Sequence, residues 1–176
     1  VLYDDPANNV VIKRRDTLQF GSFEKIKTFV NVEPRFSFRY LIDDKNSVKA
    51  SYNRMVQNTH LITNGTVPLP FNTWNPSGYY LRPQLADQYA VGFFRNFNEH
   101  KYEFSVETFY KDLQNVTEFA DNANVFFNQD LPVEFRQGRS KAYGVEFLAE
   151  KKEGKLTGFV SYTLSKVTRT IPGVNQ

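Results

Sequence analysis

The stretch YEFSVETFYKDLQN begins at Tyr102 and divides cleanly at every second residue. Tyr102, Phe104, Val106, Thr108 and Tyr110 fall on one face, and Glu103, Ser105, Glu107, Phe109 and Lys111 on the other. A period of two is that of a β-strand, here with one apolar face and one face of carboxylates and hydroxyls. Whether the apolar face looks inward at a core or outward at another medium that excludes water decides the fold.

Working outward, the same alternation recurs along the chain. FVNVEPRFSFRYLI (29–42) sets Val30, Val32, Pro34, Phe36, Phe38 and Tyr40 against Asn31, Glu33, Arg35, Ser37 and Arg39. Val48, Ala50 and Tyr52 oppose Lys49, Ser51 and Asn53, and Tyr89, Val91 and Phe93 oppose Ala90, Gly92 and Phe94. Tyr143, Val145, Phe147 and Ala149 oppose Gly144, Glu146, Leu148 and Glu150, and Val160, Tyr162 and Leu164 oppose Phe159, Ser161 and Thr163. The expected strands lie near 29–42, 47–57, 87–97, 101–113, 141–151 and 155–167. The best helix candidate, SFEKIKTF (22–29), is short.

Connections alternate in length. DDKN, NEH and KKEG are short polar turns, whereas 61–86 and 116–140 are long. Loops beyond about 12–15 residues are uncommon in compact domains. In an antiparallel meander this alternation puts every tight turn at one end and every long loop at the other. Outer-membrane barrels have that arrangement, with short periplasmic turns and longer extracellular loops. The predicted fold is therefore all-β: an antiparallel up-and-down meander of six long strands, part of a larger transmembrane β-barrel. Six strands cannot close such a barrel, and an open edge in lipid leaves backbone groups unpaired.

Aromatic residues form two levels on the apolar faces. Tyr40, Phe97 and Tyr102 lie near the tight turns; Tyr52, Tyr89, Tyr110, Tyr143 and Tyr162 lie further along and are expected at one height. About eight residues at ~3.3 Å each, tilted by ~40°, rise roughly 20 Å, close to the ~25 Å apolar band between aromatic girdles. A tyrosine ring has an apolar body and a polar tip, which suits the lipid–water boundary. These five are the expected lipid-interface residues. A soluble β protein also contains many tyrosines, and the charged face would be wet in either setting.

Composition agrees. The 176 residues carry 16% aromatics, with 17 Phe and 10 Tyr, a bias that suits strands. A net charge of +3 from scattered basic residues gives no case for nucleic acid, and the absence of cysteine excludes disulfides and thiolate-bound metals. No apolar run reaches the ~18 residues of a spanning helix, and the N-terminal VLYDDPANN has no signal-peptide pattern.

LRPQLADQYAVGFFRNF, YEFSVETFYKDLQNVTEF and GRSKAYGVEFLAEKKEGKLTGFVSYTLSK together resemble the barrel of a TonB-dependent outer-membrane receptor. The carrying motifs are Arg82–Pro83–Gln84 at the end of a long loop, Tyr110–Lys111–Asp112, Tyr143–Gly144–Val145–Glu146, and Ser161 to Ser165. Their order and spacing carry the match, which extends from about Lys27 to Lys166. The resemblance implies a barrel of roughly 22 strands with an N-terminal plug. It also implies uptake of a metal chelate, vitamin or glycan in the bacterial outer membrane. Expected partners are outer-membrane lipid, the remaining barrel and plug of the same parent chain, a periplasmic energy-coupling protein acting through the plug, and, in some systems, a surface lipoprotein. No plug is visible in the sequence.

No catalytic constellation, cofactor motif or metal-spaced cluster stands out, and no enzyme activity is expected. His60 and His100 read as solvated loop residues at opposite ends. The oxygen-rich group Asp121, Asn122, Asn124, Asn128 and Asp130 could ligate calcium, although a plain polar loop has the same composition. In FNTWNPSGYY, the rings of Trp74, Tyr79 and Tyr80 beside Asn72 and Asn75 would suit a glycan or ring-bearing ligand; loop-to-loop packing is the simpler use. Two other classes fit the pattern. One is a soluble β-rich carbohydrate-binding or interaction module, and the other a structural barrel segment of an assembly or secretion machine.

Overall fold

In the computed structural model, residues 3–5, 10–12, 25, 27–62, 73–98, 101–121, 123 and 134–174 are described. The opening stretch lies at the start of the longest strand, β8 (Tyr102–Phe119). The others of the main sheet are β3 (Arg35–Leu41), β4 (Asn46–Gln57), β7 (Gln84–Phe97), β9 (Phe135–Lys151) and β10 (Gly158–Thr170). The sheet order is β10-β9-β8-β7-β4-β3, and every pairing is antiparallel. Two small hairpins stand apart from it: β1 (Tyr3–Asp5) with β2 (Val10–Ile12), and β5 (Thr59–Ile62) with β6 (Thr73–Pro76). No α-helix occurs among the described residues, and Lys27–Phe29, the end of the helix candidate, carries no regular structure; part of that candidate lies outside the described residues.

Each tight turn has a local cause. In the β3–β4 turn, the Asp43 carboxylate accepts the backbone N–H groups of Lys45 and Asn46, both at 2.7 Å. That short-range bonding is how Asp favours turns. Asn98 takes a left-handed conformation (φ 48°) at the end of β7, as does Gly154 (φ 117°) between β9 and β10; Asn and Gly accept that region most readily.

Strand ends differ from the expected ones for identifiable reasons. β3 starts at Arg35 rather than near 29. Pro34 has no N–H to extend the ladder; its carbonyl accepts one last bond from Arg54 at 3.0 Å. β8 runs past residue 113 to Phe119 through a bulge at Asn115 (φ 57°), where the register shifts between Gln114 and Val116. β9 begins at Phe135, so both ends of the expected 116–140 loop are strand. The expected 61–86 loop includes β6 and the first residues of β7.

β8 has 18 residues and β9 has 17, well beyond the ~5–6 usual for globular strands and the ~9–11 needed to cross a bilayer. The buried apolar residues are few and gather toward the loop end: Leu81, Val116, Phe119, Phe135 and Ile171. Along the body of the sheet no core covers the apolar face. Phe104 is 37% exposed while the much smaller Ser105 beside it is 3% exposed. The serine face is the crowded one and the aromatic face is bare. A soluble sandwich would need a second layer over that face, and none of the described residues supplies it.

Candidate functional site

The register builds the outward face row by row. Tyr52 pairs with Tyr89, Tyr89 with Tyr110, and Tyr110 with Tyr143; Phe36 extends the row by pairing with Tyr52. Ring centroids are 6.3 Å apart for Phe36–Tyr52, 5.0 Å for Tyr52–Tyr89 and 6.5 Å for Tyr89–Tyr110. Tyr162 is not in this row. It pairs with Phe147, and the residue opposite Tyr143 is Lys166. Sequence reading counted positions from each turn and could not see how neighbouring strands are staggered.

One step toward the loops, the outward face turns from rings to charges. Arg54 lies directly across from Asp87, which lies across from Asp112, and Asp112 across from Lys141. The Arg54 guanidinium grips Asp87 with Nε at 2.8 Å and Nη2 at 2.9 Å, and the Tyr52 hydroxyl donates to the same carboxylate at 2.7 Å. This bidentate, charge-assisted arrangement fixes the loop-side edge of the aromatic band.

The other face is polar. Glu107 pairs with Gly92 on one side and Glu146 on the other; Glu103 pairs with Glu150. Lys152 contacts Glu103 and reaches Glu150 at 4.0 Å. Gly92 and Gly144 make room here. A Cβ on Gly92 would lie 2.7 Å from the Glu107 side chain, and one on Gly144 would lie 2.6 Å from the Leu164 carbonyl.

At the loop end, the chain from β6 into β7 folds back onto β8 and β9. Gln137 holds it there: its Nε2 donates to the Arg82 carbonyl at 3.0 Å, and its Oε1 accepts the Arg82 N–H at 3.1 Å. Asn115, the bulge residue, donates Nδ2 to the Pro83 carbonyl at 2.8 Å. Leu81 packs against Phe119 and Phe135, whose rings are 5.2 Å apart. His60 also belongs to this anchor. It is 3% exposed, with Nε2 3.1 Å from Ser77 Oγ, and is not the solvated loop residue its position suggested. Burial holds its pKa below the ordinary imidazole value, against a smaller opposing effect of a backbone hydrogen bond with Arg82.

Trp74, Tyr79 and Tyr80 are exposed on this anchored platform, at 64%, 56% and 59%. Trp74 is in β6 opposite Leu61. Tyr79 and Tyr80 meet edge to face at 5.2 Å, and Lys27 Nζ lies 5.7 Å from the Tyr79 ring. The ring contacts join Tyr79 to Tyr80 but do not include Trp74. Among the described residues no three His, Cys, Asp or Glu side chains gather as metal ligands would. His100 and most of the oxygen-rich group after Asp121 lie outside the described residues. Gln137, Asn115 and the Arg54–Asp87 pair escaped sequence reading, because each works through a cross-strand neighbour remote in sequence.

A long-stranded antiparallel meander with all its tight turns at one end, a bare aromatic face and a polar opposite face defines a segment of a membrane β-barrel. The match to known families agrees: residues 9–175 fit the family described as TonB dependent receptor-like, beta-barrel, and the chain belongs to that family. No curated protein and no solved structure gives a match. The family is one of outer-membrane receptors and transporters rather than of enzymes.

Proposed function

We infer that this chain forms part of the wall and loops of an outer-membrane receptor that takes up a scarce nutrient: a metal chelate, a vitamin or a glycan. One observation carries the reading: register-paired strands present an uncovered apolar face, bounded on the loop side by rings and then by charges. Outer-membrane lipid covers that face. The rest of the barrel flanks β3 and β10, and a plug inside the barrel links it to a periplasmic energy-coupling protein.

Tyr52, Tyr89, Tyr110, Tyr143 and Tyr162 serve as lipid-interface residues. Strands ~4.8 Å apart and tilted by ~40° shift a plane parallel to the membrane by roughly one residue per strand. The turns give the direction. Ser47 ends the β3–β4 ladder opposite Phe94, whereas the β7–β8 ladder continues beyond Phe94 to the Phe97–Tyr102 pair. Carried across the sheet, the level of Tyr52 crosses β10 about four residues to the turn side of Lys166, at Tyr162. The offset of Tyr162 from the row thus supports a shared height with Tyr52, while Tyr143 stands higher.

Ligand contact is assigned to the exposed rings of Trp74, Tyr79 and Tyr80. Their platform is held to β8 and β9 by Gln137, Asn115 and the Leu81 cluster, and loops positioned by a scaffold commonly carry binding residues. The test is to change all three to alanine in the intact parent and measure binding of candidate ligands by cells, with surface display checked by protease access. Each lost stacking contact should cost about 0.5–1.5 kcal/mol. Normal display with unchanged binding would reduce this loop to packing. A parent that fractionates as a soluble protein would overturn the membrane reading itself.

A further inference from the structure

One hydroxyl in the ring row differs from its neighbours. Tyr52 donates to the Asp87 carboxylate at 2.7 Å, whereas among the described residues the hydroxyls of Tyr89 and Tyr110 donate to no carboxylate. Arg54 holds both oxygens of that carboxylate, and Asp87 is buried. These groups lie on β4 and β7, and each of those strands is paired on both sides. A neutral phenol gives up an electron readily only when its proton leaves with it, because the phenol radical cation is a very strong acid. Tyr52 has a charged oxygen in place to take that proton, at the length of a charge-assisted bond. The adjoining rings decide what an oxidised Tyr52 can meet. On the β3 side stands Phe36, with ring centroids 6.3 Å apart and no phenol to react. On the β7 side stands Tyr89, directly opposite in register, at 5.0 Å and with 37° between the ring planes. The next contact, Tyr89 to Tyr110, is longer at 6.5 Å.

We propose that Tyr52 and Tyr89 form an oxidative modification site, at which two lipid peroxyl radicals convert the pair into a dityrosine staple between β4 and β7. The choice of oxidant rests on the aromatic face being the lipid face; the geometry of the rings and the carboxylate does not. The first peroxyl radical takes an electron from Tyr52 while the phenol proton passes to Asp87. That proton, returned through water, completes a hydroperoxide. The second radical takes a hydrogen atom from Tyr89, which is exposed on the same face. The two phenoxyl radicals join ortho carbon to ortho carbon, and each displaced ring hydrogen returns as a proton to its phenol oxygen. Two phenols and two peroxyl radicals thus give one dityrosine and two hydroperoxides. The new bond closes the chain between residues 52 and 89, at the foot of the segment that carries β5, β6 and the rings of Trp74, Tyr79 and Tyr80.

The experiment uses the intact parent receptor in lipid vesicles, with a lipid-soluble azo initiator under air to supply peroxyl radicals. Products are read by dityrosine fluorescence and by mass spectrometry of the joined peptides. The link between residues 52 and 89 should be the principal one. Tyr52→Phe and Tyr89→Phe should each abolish it, while Tyr110→Phe leaves it unchanged. Asp87→Asn should slow it roughly a hundredfold, the lower end of what a positioned base contributes. Asp87→Glu should restore most of the rate, and wild type should react more slowly in deuterated water. Cross-links spread evenly over the exposed tyrosines would overturn the proposal. So would a rate indifferent both to Asp87→Asn and to deuterium. A 52–89 link formed with a water-soluble initiator and never with the lipid-soluble one would overturn the lipid-borne oxidant, together with the lipid-face reading beneath it.

Discussion

Arginine in place of Val106 tests the assignment of faces most directly. Val106 lies four residues from Tyr110 and four from Tyr102, on the same face as both. At ~3.3 Å per residue and a tilt of ~40°, that puts it roughly 10 Å from each aromatic level, near the middle of the band. Its direct neighbours are Phe93 on β7 and Phe147 on β9, so a guanidinium there finds no polar partner. A long cationic side chain can bend toward the interface, but from this depth it must pass a ring level first. Arginine at the midplane of a barrel costs about 2–4 kcal/mol. A loss of about 3 kcal/mol multiplies the unfolded fraction by roughly a hundredfold. Glu107→Gln is the internal control. Glu107 faces Glu146 across the strand pair, and like charges opposite each other destabilise, so removing one should be neutral or slightly stabilising. The assay is denaturant titration of the parent barrel refolded into lipid vesicles. A Val106→Arg variant as stable as wild type, or losses equal at both positions, would refute the division into lipid and lumen faces.

Other outcomes are expected at the loop end. Gln137→Ala should free the Arg82–Pro83 segment by about 1–2 kcal/mol, since each lost hydrogen bond contributes ~1 kcal/mol; amide exchange should quicken at 79–82 while barrel unfolding stays unchanged. Docking of the β5–β6 hairpin should depend on pH through His60, whose pKa is lowered by burial. The undocked imidazole titrates near its ordinary value of about 6.5. The docked, neutral form is therefore fully favoured above that pH, and its advantage falls as pH drops from there toward the lower folded pKa. Hydrogen exchange over Thr59–Ile62, corrected for intrinsic rates, should show added opening at pH 5.5 relative to 7.5. Identical protection at both pH values would remove His60 from the anchor.

How much of this was legible in the sequence depended on the solvent of each face. Between Tyr102 and Tyr110 one face meets an apolar medium and the other a polar one, so alternation announces the strand. Past Lys141 toward Phe135 both faces are polar or loop-covered. Gln137 and Arg139 then occupy positions where the apolar pattern would demand a ring, and the strand reads as loop. The bulge at Asn115 adds a second difficulty, because one extra residue inverts the alternation and the pattern loses phase midway along β8. The platform around Leu81 was illegible for another reason. Its members Leu81, Phe119, Phe135 and Gln137 come from three separate segments. Tyr162 was read onto the correct face, but its offset from the row needed the register of β9 with β10.

The bulge at Asn115 also divides β8 into two independently written messages. Below it, even-numbered residues such as Phe104 and Tyr110 face outward; above it, Phe119 does, because it pairs with Phe135 on the face shared with Tyr143. The membrane half is held in phase by its own cross-strand partners and does not depend on what the upper half spells. Substitutions, or paired insertions in the upper parts of β8 and β9, can therefore reshape the loop-end surface while the lower half keeps its rings in register. One side of a single left-handed asparagine can thus be rewritten without disturbing the row of rings on the other.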